Sequence, residues 1–307
     1  MLTAKRVLVI VNPASGRGRT KAVEDAVRTG LERLGADIEM CRTRTARDAT
    51  EWAAAAAEDG FEVVLVAGGD GTVTAAARGL VRAGQGVPLG VVPAGTGNGL
   101  ARVLHVPIDP AKAVSALAGG APVRLDVMRR VGSDEVALIF FGAGLDAEIN
   151  RDADRGAKAR FGFLAYLGAG ARNLWGRRNH RVQLELDGDV EHLVAHTVSL
   201  FNAASFPLGA MRVGPDVDPH DGLLDVAVLR NPGFLRAVGA VLRLVGGPRG
   251  VGELRRARHV RVSAEPPLLV HADGDVAGST PLEVEVLPGA LTAIAARNYR
   301  PEPAEAP

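Results

Sequence analysis

The chain has 307 residues, with 36 basic and 35 acidic side chains, and its formal net charge of +1 gives no global drive toward nucleic acid. Apolar residues make up 47%, enough for a real core, and the length suits two domains rather than one small one. A single cysteine, Cys41, excludes an internal disulfide framework and a cysteine-based metal site and fits a reducing cytosol, while no run approaches the roughly 18 apolar residues of a membrane span.

Lys5 and Arg6 precede a run of only five apolar residues, so no signal peptide is expected. That run, within Arg6-Val7-Leu8-Val9-Ile10-Val11, is rich in β-branched residues and predicts a central parallel strand. It ends at Asn12-Pro13-Ala14-Ser15-Gly16-Arg17-Gly18-Arg19, a glycine- and arginine-bearing turn. Val23, Val27, Leu31 and Leu34 then fall at near-helical spacing, and Gly35 stops the helix. A second strand over 38–41 leads to Thr43 and Thr45, and a helix runs from Asp48 through the alanines at 53–57. A third strand over 63–66 enters Ala67-Gly68-Gly69-Asp70-Gly71-Thr72-Val73, and the Pro-free, Ala-rich stretch 72–83 predicts a helix. A fourth strand over 88–92 ends in Pro93-Ala94-Gly95-Thr96-Gly97-Asn98-Gly99-Leu100-Ala101-Arg102. Alternating strands and helices argue an α/β N-terminal domain with a doubly wound parallel sheet. Its Gly-rich loops all follow strands, so they lie at the carboxyl edge where such folds bind ligands.

After about residue 123 the texture changes. Strands are expected at 125–127 and 136–141. Arg181-Val182-Gln183-Leu184-Glu185-Leu186 alternates strictly, as a sheet with one solvated face does, and Asp187-Gly188 is a hairpin signal. Further strands are expected over 193–202, 223–229, 259–263, 268–272 and 282–286, with helices only at 161–175 and 234–245. The second domain therefore reads as mainly antiparallel β, a sandwich. A last strand over 291–296 is expected to return to the first domain. The resulting division is 1–123, an α/β nucleotide-binding domain; 124–289, a β-rich substrate domain; and 290–307, a returning segment with a frayed tail.

The Gly68–Thr72 loop carries the strongest chemical signal. Glycine lets backbone approach a ligand closely, and the N–H groups of a helix start attract anions. An acidic residue inside an anion cradle needs a cation between it and the phosphate, and Mg²⁺ is the usual one. The Asn12–Arg19 turn alone is as consistent with an ordinary loop as with a polyphosphate contact, and it is not a P-loop. The Gly95–Asn98 loop could be a capped helix start, but three Gly-rich loops on one edge favour a nucleotide site. Phe141-Gly142-Ala143-Gly144-Leu145-Asp146-Ala147 lacks the third glycine of a dinucleotide fingerprint and reads as a turn with close backbone approach. The stretch 214–225 clusters four Asp, either a solvated turn or hard ligands for Mg²⁺ or Ca²⁺. His271-Ala272-Asp273-Gly274-Asp275 reads by composition as a hairpin turn.

Taken together, these residues resemble the diacylglycerol kinase catalytic-domain family, soluble bacterial lipid kinases related to sphingosine and ceramide kinases. The matching pieces are Asn12-Pro13-Ala14-Ser15-Gly16, Gly68-Gly69-Asp70-Gly71-Thr72, Gly95-Thr96-Gly97-Asn98, the 215–225 loop and Asp273-Gly274-Asp275, in the family's order across nearly the whole chain. The Gly-Gly-Asp-Gly-Thr core alone is also similar to NAD kinases and 6-phosphofructokinases. The resemblance implies an ATP- and Mg²⁺-dependent lipid kinase with its ATP site between the domains. Asn12, Pro13, Ala14, Ser15, Gly16, Thr43, Gly69, Asp70, Gly71, Thr72, Val73, Thr96 and Asn98 fall where the family touches nucleotide. It further implies Asp70 beside the catalytic Mg²⁺, Asp275 as general base for the lipid hydroxyl, and a structural Mg²⁺ held by Asp221 with the carbonyls of Asp218 and Leu223. The expected partner is a membrane-derived lipid, met by transient contact of a cytoplasmic protein with the inner membrane face; nucleic acid is not expected, and a homodimer stays open. The 161–175 segment could wall an acyl-chain groove. Two departures bear on the acceptor. The family commonly has Asp where this chain has Gly99, and Asn-Glu where it has Thr74 and Ala75. The sphingosine kinase pattern also lacks that Asp, so a sphingoid base or ceramide competes with diacylglycerol as the acceptor. Two rival functions stay open beside the lipid kinase: NAD kinase, and a non-catalytic lipid- or nucleotide-binding regulator.

Overall fold

The computed structural model of the chain describes residues 2–3, 5–15, 20–84, 86–144, 180–203, 217–229 and 254–300. Gly16, the helices expected over 161–175 and 234–245, the first residues of the acidic loop and the tail beyond Arg300 lie outside them. In chain order the described elements begin β1 (Arg6–Val11), α1 (Thr20–Glu32), β2 (Asp37–Arg42), α2 (Ala46–Ala55), β3 (Val63–Gly68), α3 (Asp70–Ala83), β4 (Leu89–Pro93), α4 (Gly99–Val103), α5 (Pro110–Ala118) and β5 (Ala121–Arg130). They continue as β6 (Val136–Ala137), β7 (Phe140–Gly144), β8 (His180–Leu186), β9 (Asp189–Ala195), β10 (Thr197–Phe201), β11 (Leu224–Leu229), β12 (Arg255–Ala257), β13 (His259–Glu265), β14 (Leu269–Ala272), β15 (Asp275–Ser279) and β16 (Leu282–Ala295). The described residues fall into two compact units, one holding those up to Val127 and from Leu287 on, the other those from Met128 to Val286. β5 and β16 each contribute residues to both.

The first unit is a parallel sheet in the order β2-β1-β3-β4, with the end of β16 beside β4 through Ala293 and Leu89. Val63, Val64, Leu65 and Val66 are all buried, as a strand covered on both faces requires. In the order 2-1-3-4 the chain winds one way from β1 and the other way from β3, so the carboxyl ends of β1 and β3 flank the switch point where such sheets open a crevice. Small residues set the helix packing behind β3. A Cβ on Gly79 would collide with the Thr50 carbonyl oxygen, and the Thr50 hydroxyl donates to the Ala75 carbonyl at 2.9 Å, so α2 and α3 approach nearly backbone to backbone.

The second unit has two antiparallel sheets. One runs β16-β13-β8-β9, the other β12-β11-β10-β7-β14-β15. Val182, Leu184, Val260 and Val262 from the first and Val198, Leu200, Val226 and Val270 from the second belong to one buried cluster, which makes the pair a sandwich. The fold class expected from the sequence holds: a parallel, doubly wound α/β unit and an antiparallel β-sandwich.

Several local expectations are corrected. Helix α3 begins at Asp70, not Thr72, because Thr72 N and Val73 N already donate to the Gly69 carbonyl. The helix start weighed for the 95–98 loop is realised as α4, with Asn98 at its N-cap, whereas α5 has no counterpart among the expected elements; it is nonetheless well marked, with Asp109 accepting from Lys112 N at 2.9 Å and Pro110 at its first position. The run 136–141 is broken between β6 and β7. The run 193–202 is two strands on different sheets, since His196 N donates to Leu229 O where the chain changes partners from β8 to β7 and β11. Phe141 to Gly144 is strand rather than turn, although Gly144 does meet the His196 carbonyl so closely that a Cβ would overlap it. The two strands expected at 282–286 and 291–296 are one, β16.

Candidate functional site

Three strand-end loops of the first unit are hydrogen-bonded to each other at the carboxyl edge. After β1, the Asn12 amide nitrogen donates to the Thr72 hydroxyl at 2.7 Å, while its carbonyl oxygen accepts from Ala14 N at 2.9 Å. Ser15 N donates to Asn12 O, and the Ser15 hydroxyl accepts from Gly69 N at 3.2 Å. Pro13 O takes the Thr20 hydroxyl at 2.9 Å, tying the turn to the start of α1. After β3, Gly69 is the N-cap of α3, Gly71 is exposed in its first turn, and Thr72 and Val73 are buried. After β4, Asn98 takes a left-handed backbone (φ 53°, ψ 46°), and its side chain bonds back to both the N–H and the carbonyl of Gly95. Thr96 stands at the tip, and the Arg102 guanidinium holds the Gly97 carbonyl at 3.0 Å.

Asp70 connects the last two loops. Its carboxylate accepts from Asn98 N at 2.9 Å and from Gly99 N at 2.6 Å, two of the donors that the short helix α4 leaves at its start. Asp70 is therefore a clamp on the β4–α4 loop as well as the acidic residue of the edge. Carboxylate oxygens that accept from N–H groups are also hard ligands of the kind Mg²⁺ takes, so the chemistry of this side chain suits that ion. Gly95 is bare because it must be: a Cβ there would lie 2.6 Å from the Gly69 Cα, while one on Gly69 would meet the Gly95 Cα at 3.3 Å, a tight contact. Uncovered backbone beside hydroxyl and amide donors suits a polyphosphate. Thr43 follows β2 on the same edge and donates its N–H to Val11 O at 2.8 Å. Just beyond it, Asp48 accepts from Arg44 N and Thr45 N at the start of α2; the Arg44 N–H first, then that of Thr45, hold its carboxyl below the usual range. Ala75 is buried against α2, so at this position the chain uses for packing a site where the family pattern carries an acid.

In the second unit, Asp275 opens the edge strand β15 and is exposed. What sequence reasoning missed is the role of Asp273, whose carboxylate accepts from the backbone N–H groups of Leu138, Ile139 and Phe140. The Asp-Gly pair marks a turn, but its partners are more than 130 residues away in sequence. In the acidic loop, Asp218 accepts from His220 N at 3.1 Å and Asp221 from Leu223 N at 2.9 Å. Asp225 is buried and pairs with Arg256 at 3.3 Å. Among the described residues no three His, Cys, Asp or Glu side chains gather to hold a metal. The set expected here uses one carboxylate and two carbonyl oxygens, so it does not depend on such a cluster. No helix among the described residues is long and apolar enough to cross a membrane.

Comparison with known proteins agrees with this layout. The model of the diacylglycerol kinase catalytic domain matches residues 6–130, and that of the YegS C-terminal NAD kinase beta sandwich-like domain matches residues 140–295. A diacylglycerol kinase of Mycobacterium tuberculosis is 31% identical over 303 residues, covering 95% of this chain and 96% of the relative. A diacylglycerol kinase of Bacillus subtilis is 28% identical over 285 residues, covering 91% and 92%. The crystal structure of a diacylglycerol kinase from Bacillus anthracis superposes with a TM-score of 0.79 at 25% identity, covering 95% of this chain and 98% of that one. The catalytic-domain model over the first unit and a 31% identical, near full-length relative lead to one conclusion: the chain belongs to the diacylglycerol kinase catalytic-domain family and is a lipid kinase.

Proposed function

We propose that the chain transfers the γ-phosphoryl group of ATP, with Mg²⁺, to a hydroxyl of diacylglycerol. The observation that carries this reading is the set of mutually bonded loops at the switch point, where bare glycine backbone, hydroxyl donors and one clamped carboxylate meet. In this reading Asn12, Pro13, Ala14, Ser15, Gly16, Thr43, Gly69, Gly71, Thr72, Val73, Thr96 and Asn98 line the nucleotide. Asp70 faces the metal, which neutralises phosphate charge. Asp275 takes the proton of the acceptor hydroxyl; the freed oxygen bonds to the γ-phosphorus as its bond to the β–γ bridging oxygen breaks, and ADP leaves. Asp218, Asp221 and Leu223 hold a second, structural Mg²⁺. The nucleotide role falls to residues 1–123 and the lipid role to 124–289, with 290–307 completing the first. Because the acceptor resides in a membrane, turnover involves transient contact of a cytoplasmic protein with the inner membrane face.

The test is phosphate transfer by the purified full chain from labelled ATP, with and without a chelator, to vesicles carrying diacylglycerol, monoacylglycerol, ceramide or a sphingoid base, and to NAD in solution. Label on diacylglycerol that disappears on chelation is expected. Label on ceramide or a sphingoid base instead overturns the acceptor, and label on NAD overturns the lipid. Nucleotide binding without any transfer would identify a regulator. Activity measured across a gel-filtration peak shows whether a homodimer is the active species.

A further inference from the structure

We propose that Asp273 is a positioning residue for the transfer step, holding the hairpin from which Asp275 acts; this rests on the reading of Asp275 as the base. β14 and β15 are joined by two residues, Asp273 and Gly274, both at positive φ (47° and 98°), and Ala272 pairs with Asp275 across the turn. Such two-residue turns match the twist of the flanking strands but leave their tip exposed on the side away from the sheet. Here the tip is anchored. Oδ2 of Asp273 accepts from Leu138 N at 2.8 Å, and Oδ1 accepts from Ile139 N at 2.9 Å and Phe140 N at 3.1 Å. Asp273 N adds a bond to Phe140 O at 3.0 Å.

Three consecutive amide hydrogens turned toward one carboxylate make a concave anion site of the kind that backbone nests provide. The segment can present them because β6 ends at Ala137 and β7 starts at Phe140, leaving residues 138 and 139 out of the strand ladder. Their carbonyls are held in turn by Asn202, whose amide nitrogen donates to Leu138 O at 3.0 Å and whose N–H donates to Ile139 O at 2.9 Å. The nest is therefore braced on both sides, and the break between β6 and β7 has a purpose: it receives Asp273. The far part of β15 has its own anchor. The Arg130 guanidinium donates to Ala277 O at 2.7 Å and pairs with Glu135. Asp275 sits between these two anchors on β15, which among the described residues has a neighbouring strand on one side only. Its side chain is exposed, so its position follows from the backbone that carries it. A base must come within hydrogen-bond reach of the proton it removes, and a displacement of about 1 Å costs on the order of a hundredfold in rate. Charge-assisted bonds to three backbone donors resist that displacement better than neutral ones.

The test is a double-mutant cycle in the full chain. Asp275→Asn, Asp273→Asn and the double variant are compared by kcat on diacylglycerol vesicles, with KM for ATP followed alongside. Asp273→Asn is expected to lower kcat about tenfold to a hundredfold, leave KM for ATP within about twofold, and lower kcat less than about twofold further when Asp275 is already Asn. A purely structural role would multiply the two losses, and that additivity overturns the proposal, as does an Asp273→Asn kcat within about twofold of wild type. If Asp273→Asn does not fold, Arg130→Gln on the other anchor runs the same cycle and is judged by the same non-additivity. An Asp275→Asn variant that keeps its rate overturns the base assignment and this inference together; loss in Asp275→Asn with additivity overturns the inference alone.

Discussion

Replacing Gly95 by alanine isolates the contact between the β3 and β4 loops. Gly95 does not need a positive φ, so alanine brings no backbone strain there; the only cost is space. Its Cβ would stand 2.6 Å from the Gly69 Cα and 3.1 Å from the Asn98 side-chain oxygen Oδ1. Two carbons rest about 3.5–4.0 Å apart, so the loops must separate by about 1 Å. The near neighbour is backbone at the N-cap of α3, not the end of a flexible side chain, so relief requires moving a helix start. Overpacking of this kind costs about 1–3 kcal/mol. Urea unfolding should show a lower midpoint by that amount, against a Gly86→Ala reference whose Cβ meets nothing within 4 Å. Because the same 1 Å displaces the proposed nucleotide contacts, KM for ATP should rise at least tenfold while KM for the lipid stays within about twofold. An unchanged midpoint together with an unchanged KM for ATP would refute the reasoning, since it would mean that the loops need not touch.

Two further outcomes follow from the same geometry. Asp70→Asn turns an NH₂ group toward one of the two N–H donors of Asn98 and Gly99, leaving one of them unsatisfied at about 1–3 kcal/mol. It should lose both stability and most turnover, and a variant that loses turnover at unchanged stability would leave Asp70 a metal-side role without the clamp. Glu24, buried under a bidentate bond from Arg42, is held below its ordinary value of 4.5 first by that bond. A depressed folded-state value contributes stability above the unfolded value and loses it as pH falls through the folded one. Wild type should therefore lose more stability than Glu24→Gln from neutral pH down through the carboxylate range, by a modest amount because Arg42 is two-thirds exposed. Parallel urea titrations that coincide would remove the pair from acid stability.

The parallel core is legible because Val63 to Val66 and Val7 to Val11 are β-branched runs of strand length, and burial on both faces demands no more than that. The three loops are legible for a related reason. Residues such as Gly69 and Gly95 are costly anywhere their bareness is not needed. What escapes the sequence is whatever depends on pairing at a distance. Leu193 to Asn202 has no Gly or Pro and is rich enough in strand-favouring residues to read as one strand, and nothing in that run marks His196 as the point of changing sheets; only the competition between the β8 and β11 ladders does. Residues 287–290 fall between two expected strands, yet β16 continues through them, and there Gly289 donates its N–H at 2.6 Å to Asp126 on a strand more than 160 residues earlier. Asp70 reads as metal-facing because a carboxylate in a glycine cradle repels phosphate; its bonds to Asn98 and Gly99 require the loop after the next strand. The start of α4 is offered by the cap-type residues at 96 and 98, but its five residues carry no periodicity that would set its length.

The bonds that tie Ser15 to Gly69, Asp70 to Gly99 and Asn98 to Gly95 also bear on the heat and entropy of binding. These loops lose their freedom when the chain folds, not when a ligand arrives. A nucleotide landing on this edge does not have to order them, so the unfavourable conformational entropy that accompanies loop closure in many phosphate sites is already absorbed in the stability of the fold. The same rigidity narrows what the edge accepts, because loops that cannot spread cannot adapt to a bulkier head group.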